Sequence, residues 1–280
     1  MIQDIYPNIF HNEFGNYELN DEDGLLIFDK EGRILISREG ESIHFAKGLD
    51  AKTFDASPDS ITYLFSIDEK KYFLLFNEPV QTEKGFDFVS LNELRDSIVG
   101  TETFVAFTAF HLWQWYTDNR FCGHCGGKTV FHDKERALRC TECGRVIYPR
   151  INPAVIVGVT NGDSILITRY RNGYAHNALV AGFTEIGETF EQTVAREVME
   201  EAGIKVKNIR YYKSQPWGTA QDILAGFFCE VDGSTEIRMD KNELKYAEWV
   251  KREDIVLQPT DLSLTNEMMR LFRDGGAIPL

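Results

Sequence analysis

Glu197, Glu200 and Glu201 stand at i, i+3 and i+4 in the segment GFTEIGETFEQTVAREVMEEAGI, residues 182–204. On a helix this spacing projects all three carboxylates from one side. Like charges so placed repel, and only Arg196 lies close in sequence to offset them. Glu185 and Glu188 enter from the preceding loop, and glycines bracket both ends. A solvated acidic face would tolerate this crowding. A cluster of oxygen ligands for the hard cations Mg²⁺ or Mn²⁺ would give it a purpose. Such ions would neutralise the glutamates, hold a diphosphate and activate water.

The second cluster is made of sulfur. Cys122-Gly-His-Cys125 and Cys140-Thr-Glu-Cys143 are two C-x-x-C pairs with 14 residues between them. Each pair presents two sulfurs from one tight turn, and four thiolates suit tetrahedral Zn²⁺. With all four positions filled by protein, that zinc is structural. The alternatives are four free thiols or a redox pair. The fifth cysteine, Cys229 in AGFFCEV, reads as a buried core thiol.

These residues need elements to hold them. Thr189 and Gln192 fit a capping box, and the helix they open runs through Ala202 to a stop at Gly203. Val194 and Val198, at i and i+4, face inward. Ahead of it, AVIVGV and ILITRY read as two strands joined by a turn at residues 160–163. A C-terminal helix is expected near 263–273. The N-terminal region reads as β-rich. Residues 25–37 suggest a hairpin around Asp29-Lys30-Glu31-Gly32, and residues 61–76 a second around 68–71. A short helix is expected at 91–98. Residues 103–116 form a helix apolar nearly all round, hence one buried between domains or subunits, with His111 a core histidine. Strands and helices mix without a βαβ alternation, so the fold class is α+β. Its divisions are 1–118, 119–150 and 151–280.

Length and charge exclude several classes. The chain has 280 residues and a formal net charge of −14. Residues 1–118 carry 9 basic and 22 acidic side chains, residues 119–150 carry 7 and 3, and residues 151–280 carry 14 and 19. An acidic chain is a poor general binder of nucleic acid, and the short basic middle is the only segment that would welcome a polyanion. The start lacks a basic region followed by an apolar one, and no apolar run approaches the roughly 18 residues of a membrane span. The expectation is a cytoplasmic protein without membrane contact.

The glutamate segment matches G-x5-E-x7-R-E-U-x-E-E-x-G-U (U aliphatic) at Gly182, Glu188, Arg196, Glu197, Val198, Glu200, Glu201, Gly203 and Ile204. This pattern resembles the Nudix box of hydrolases that cut nucleoside diphosphates linked to another moiety. LWQWYTDNRFCGHCG, the second C-x-x-C and YPRINPAVIV extend the likeness to the NADH diphosphatase subfamily across about residues 110–280. The resemblance implies a C-terminal Nudix α/β/α sandwich, a zinc ribbon, a β-rich N-terminal domain and a homodimer. It implies cleavage of NAD(H) to AMP and nicotinamide mononucleotide, and removal of NAD caps from RNA. By position it assigns catalytic Mg²⁺ or Mn²⁺ to Glu197, Glu200, Glu201, Glu243 and the Ala181 carbonyl, with Glu201 or Glu243 acting on water. It places the aromatic rings of Tyr148 and Phe183 beside the nicotinamide or base.

One segment departs from the subfamily. SQPWPFPxS is here Ser214-Gln215-Pro216-Trp217-Gly218-Thr219-Ala220-Gln221-Asp222. Gln215, Pro216 and Trp217 keep the substrate-contact pattern, while Asp222 stands in place of the final Ser. An aromatic wall and two prolines are lost, and a negative charge is gained near an anionic substrate. A different dinucleotide, ADP-ribose among them, is therefore the rival substrate. A non-catalytic nucleotide sensor is a further rival, against which the intact box glutamates speak.

Overall fold

The computed structural model describes residues 1–40, 42–76, 85–97, 100–171 and 176–277. The chain divides into two compact units. The first contains residues 4–150 and 218–221, the second residues 1–3, 151–217 and 222–280.

In the first unit β1 (Phe10–His11), β2 (Gly24–Ile27), β3 (Ile34–Glu39), β4 (Ser42–Lys47), β5 (Ile61–Ile67), β6 (Lys70–Leu75) and β7 (Phe86–Val89) form a sheet ordered β1-β5-β6-β2-β4-β3-β7. The expected hairpin at 61–76 is present as the antiparallel pair β5–β6. The one at 25–37 is not. The turn forms, with the Asp29 carboxylate accepting the N–H groups of Glu31 and Arg33 and Gly32 in the left-handed region. Beyond the Phe28–Ile34 bridge the strands part. Both edges of β2 are taken, by β6 in parallel and β4 antiparallel, which leaves none for β3.

Helix α1 spans Leu91–Ser97, and residue 98 of the expected helix lies outside the described residues. Helix α2 spans Thr101–Asp118. Within its own unit its rings pack on the sheet: Phe104 meets Phe10, Trp113 stacks on Phe28 and Tyr116 meets Phe76. His111 donates to the Arg150 carbonyl at 2.8 Å, and burial lowers its pKa. The first unit ends in a small antiparallel sheet, ordered β10-β9-β8, of β8 (Thr129–Phe131), β9 (Leu138–Cys140) and β10 (Val146–Ile147).

The second unit is built on β11 (Asn152–Asn161), β12 (Ser164–Tyr170), β13 (Val180–Phe183), β14 (Val206–Trp217), β15 (Asp222–Val231) and β16 (Leu244–Lys251). The order is β14-β15-β11-β12-β16, with β13 added to β11. β11 runs parallel to β15, and the expected turn joins it to β12 through the pairs Thr160–Ile165 and Asn161–Ser164. Alternation along β11 sends Val155, Val157 and Val159 to one face and Ile156 to the other. Helix α3 (Phe190–Ala202) covers the first face with Val194, Val198 and Ala202, and α4 (Leu264–Arg273) covers the second with Met268, Met269 and Phe272. This is an α/β/α sandwich within an α+β chain. Cys229 lies fully buried on the α3 side.

Candidate functional site

The glutamates ride on α3, whose ends follow the sequence. The Thr189 side chain accepts the Gln192 N–H, Gln192 returns the bond to the Thr189 N–H at 2.8 Å, and Gly203 closes the helix with φ 69°. The buried valines fix the rotation of the helix and therefore the direction of its acids.

Those acids do not share one environment. Glu201 is 1% exposed, Glu197 is half-buried and Glu200 is exposed. The Tyr170 hydroxyl reaches Glu201 Oε1 at 2.9 Å and Oε2 at 3.1 Å, and it also accepts the Ala181 N–H at 3.0 Å. Burial, opposed by that hydrogen bond and reinforced by the charges of Glu197 and Glu243, pushes the Glu201 carboxyl up to about 8. Burial also raises Glu197, and the Glu200 and Glu243 charges add to the rise. Gly182 is where it is because Glu197 fills the space beside it: a Cβ there would lie 2.0 Å from Glu197 Cδ.

Arg196 holds the upper part of the cluster. Its guanidinium donates to Glu188 at 2.6 and 2.9 Å, to Glu197 at 2.7 Å, to Glu200 at 3.0 Å and to the Phe183 carbonyl at 2.9 Å. This bonding draws Glu188 down to about 2. Arg196 therefore works as a clamp that ties helix, box loop and β13 together. Glu243 sits exposed just before β16, and its backbone carbonyl accepts the Arg171 N–H.

The donor chemistry fits a hard divalent cation. The charges of Glu197 and Glu243 both act on the buried Glu201, and a buried carboxyl of this kind keeps its charge at neutral pH only beside a positive partner. Tyr170 was invisible in the sequence. It ends the apolar strand ILITRY, with no spacing relation to the box that could have marked it.

The sulfur cluster is geometrically tighter. All four Sγ atoms lie within 4.8 Å of one another, and no disulfide joins them. Cys125 and Cys140 are 3.4 Å apart, Cys122 and Cys143 3.8 Å. A tetrahedron with Zn–S of about 2.3 Å has S···S edges of about 3.8 Å, so the thiols fit zinc. The backbone N–H groups of Cys143 and Glu142 help draw the Cys140 thiol down to about 6, toward the thiolate that a metal needs.

The expected substrate residues fare unequally. Phe183 is 52% and Tyr148 57% exposed, and the Tyr148 hydroxyl donates to Glu135 at 2.9 Å. Pro216 is exposed and Trp217 half-buried at the end of β14. Gln215 departs from expectation. It is fully buried, its Oε1 accepts the Leu264 N–H, and its Nε2 donates to the Leu262 carbonyl and to Gln3. It anchors the start of α4, and both of its N–H donors are engaged within the fold. Asp222 is 5% exposed, Oδ1 has no hydrogen-bond partner among the described residues, and burial raises its pKa to about 7. Gly218, which replaces a proline of the subfamily pattern, lets its turn close on α2: a Cβ there would lie 2.0 Å from the Phe107 carbonyl oxygen.

Residues 150–272 match the NUDIX domain, and residues 118–148 match the NADH pyrophosphatase zinc ribbon domain. The chain is 42% identical over 183 residues to the NAD-capped RNA hydrolase NudC of Escherichia coli O1:K1 / APEC, covering 64% of this chain and 70% of that protein. The same figures hold for NudC of Escherichia coli strain SMS-3-5 / SECEC. Among solved structures, a NUDIX hydrolase from Nitrosomonas europaea is similar with a TM-score of 0.49 and 20% identity, covering 55% of this chain and 91% of that one.

Proposed function

The chain belongs to the Nudix family, and from that premise we propose that it hydrolyses the pyrophosphate bond of NAD(H), giving AMP and nicotinamide mononucleotide, and removes NAD caps from RNA. The observation that carries this reading is the 42% identity to an NAD-capped RNA hydrolase in a chain that keeps every box position and a matching zinc ribbon.

Glu197, Glu200, Glu201, Glu243 and the Ala181 carbonyl are the groups we assign to Mg²⁺ or Mn²⁺. When bound, such ions supply charge neutralisation of the diphosphate and a water of lowered pKa. The chain's own groups do the positioning. Tyr170 orients the Glu201 carboxylate, and Arg196 ties Glu188, Glu197 and Glu200 to one guanidinium. Glu201 and Glu243 are the two carboxylates that would take the proton of the attacking water. Phe183 and Tyr148 each present a ring to a flat heterocycle. Four reduced thiols around a structural Zn²⁺ suit a cytoplasmic protein, and we assign it the homodimeric state of the subfamily. Among the described residues no helix is long and apolar enough to cross a membrane.

The replaced segment supports a second reading, in which the same machinery prefers ADP-ribose or another nucleoside diphosphate derivative. Gly218, Thr219 and Ala220 stand where an aromatic wall would be, and Asp222 adds a buried acid. Incubation of the purified protein and Mn²⁺ with NADH, NAD⁺, ADP-ribose and NAD-capped RNA, with products resolved by chromatography, separates the two. Highest kcat/KM on an NAD-containing substrate, with AMP and nicotinamide mononucleotide as products, is expected. Preference for ADP-ribose would install the second reading, and nucleotide binding without cleavage would refute both.

A further inference from the structure

The first unit contains a recess of about 550 Å³ between its sheet, α2 and the ribbon. That volume falls in the range of roughly 300–1,000 Å³ typical of sites for compact organic ligands. Its walls are Phe28, Phe76, Trp113, Tyr116, Phe121 and Phe131. Phe28 and Trp113 lie stacked at 5.3 Å, and Phe131 packs edge-on to Tyr116 at 5.4 Å. The outer rings are held open: Phe121 is 59% and Phe131 43% exposed.

Arg120, Lys128 and Lys30 are the cations of the lining, Lys30 lying 3.9 Å from Glu31, and the Phe121–Lys128 bridge places a ring and a cation on adjoining backbone. Among the described residues neither Arg120 nor Lys128 is paired with an acid, nor are Arg139 and Arg145 of the same ribbon. Elsewhere in the first unit Arg33, Arg38, Lys47 and Arg95 have carboxylate partners, while Lys70 and Lys71 lie over the rings of Tyr72 and Tyr17. The acids of the lining are Asp29, already bound to Arg33, and Asp59. Residues 119–150 carry 7 basic and 3 acidic side chains inside a chain of net charge −14. The segment stays cationic even after the −2 of a zinc–tetrathiolate centre.

Open aromatic faces beside unpaired cations demand a ligand with both flat rings and regularly spaced anions. An apolar peptide would not need the cations, and an acidic peptide would not need the stacked rings. A single strand of RNA needs both, because its bases stack on aromatic side chains while its phosphates follow positive charge. We propose that this recess seats unpaired bases of an RNA strand, with Arg120 and Lys128 on its phosphates, and that it grips the RNA body of a capped substrate. The second half of the proposal rests on the NAD-capped RNA reading above.

The test uses the full-length, zinc-loaded protein and a 5′-hydroxyl single-stranded oligoribonucleotide carrying a 3′ fluorophore. Anisotropy titrations compare wild type with the double variant Arg120→Glu/Lys128→Glu and, separately, with Phe121→Ala; zinc content and circular dichroism check folding. Loss of two phosphate contacts should raise Kd by about ten-fold or more and reduce the slope of log K against log salt by about 1.4. Phe121→Ala should weaken binding with little change in that slope. In parallel, kcat/KM on NAD-capped RNA should fall by a similar factor while kcat/KM on NADH stays level. Unchanged RNA affinity, equal losses on both substrates, or equal competition by a duplex of the same length would overturn the proposal. Dissociation of a dimer in sedimentation by the charge-reversed variant, with RNA affinity intact, would overturn it in favour of an interface between copies. Should wild type cleave neither substrate yet lose RNA affinity on charge reversal, the catalytic reading fails and the RNA recess stands.

Discussion

The molecule contains two clusters of anionic ligands, and they are held together on opposite terms. In the ribbon, four Sγ atoms from two short turns lie within 4.8 Å of one another, and backbone N–H groups help draw Cys140 toward thiolate. On α3 the carboxylates spread across a gradient from buried Glu201 to exposed Glu200, and Arg196 occupies acceptor atoms of Glu188, Glu197 and Glu200. A closed sulfur cage leaves no ligand position for a substrate. A splayed set of oxygens, partly neutralised by a protein cation, can still take ions that arrive with a diphosphate. On the proposed reading, a structural and a catalytic metal site would differ in how completely the protein finishes them.

The largest effect should come from the buried end of the gradient. Glu201→Gln keeps the shape and removes the charge, and we expect kcat on NADH with Mn²⁺ to fall roughly 10²–10⁴-fold. The exposed Glu200→Gln should lose clearly less. Equal losses would erase the gradient, and undiminished turnover of Glu201→Gln would end the role assigned to that residue. Both variants should retain one zinc per chain in a colorimetric assay, because the ribbon does not depend on them.

The converse experiment attacks the ribbon. Cys140→Ser, or extraction of zinc by a strong chelator, should lower the Tm of the first unit by about 10 °C or more, since structural zinc contributes folding free energy outright. Limited proteolysis should then cut within residues 119–150. A metal-stripped protein with unaltered Tm would mean that packing among the aromatic residues of the first unit, not the thiolate cage, holds that segment.

How much of this was legible in the sequence follows from the range of the interactions. The zinc cage, the Thr189–Gln192 cap and the Gly203 stop are local, so residue types at short spacing specify them. The strand β2 was legible but its neighbours were not, because pairing with β6 and β4 is decided by contacts far away in the chain. Gln215 kept a motif letter while its amide was taken by Gln3, Leu262 and Leu264, and no spacing rule reports such a capture. Tyr170, 31 residues before Glu201, is a further case: a polar tip at the end of an apolar strand.

Tyr170 gives the third test. Phenylalanine there removes the hydroxyl bonded to Glu201 and Ala181 while keeping the ring. A hydrogen bond to a charged group contributes about 1.5–3 kcal/mol, so kcat should drop by roughly 10- to 100-fold, less than the Glu201→Gln loss. If Tyr170 orients rather than reacts, KM for NADH stays nearly constant and raised Mn²⁺ recovers part of the rate. A loss as large as that of Glu201→Gln would move Tyr170 into the chemistry itself.

The smallest effect concerns a carboxyl outside both clusters. Asp222 is buried with an unpartnered oxygen, and its pKa rises from an ordinary 3.8 to about 7 because burial penalises the charged form. Between those two values the folded state holds a proton that the unfolded state has released. Stability must therefore fall as pH rises from about 4 to 7, and the cost is complete above 7. Asp222→Asn removes the titration. Its Tm should nearly equal that of wild type at pH 4 and exceed it at pH 8. A constant difference across that range would show that Asp222 stays ionised in the fold. It would then be a fixed negative charge, and the second unit would hold an acid kept charged by neither an arginine clamp nor a metal cage.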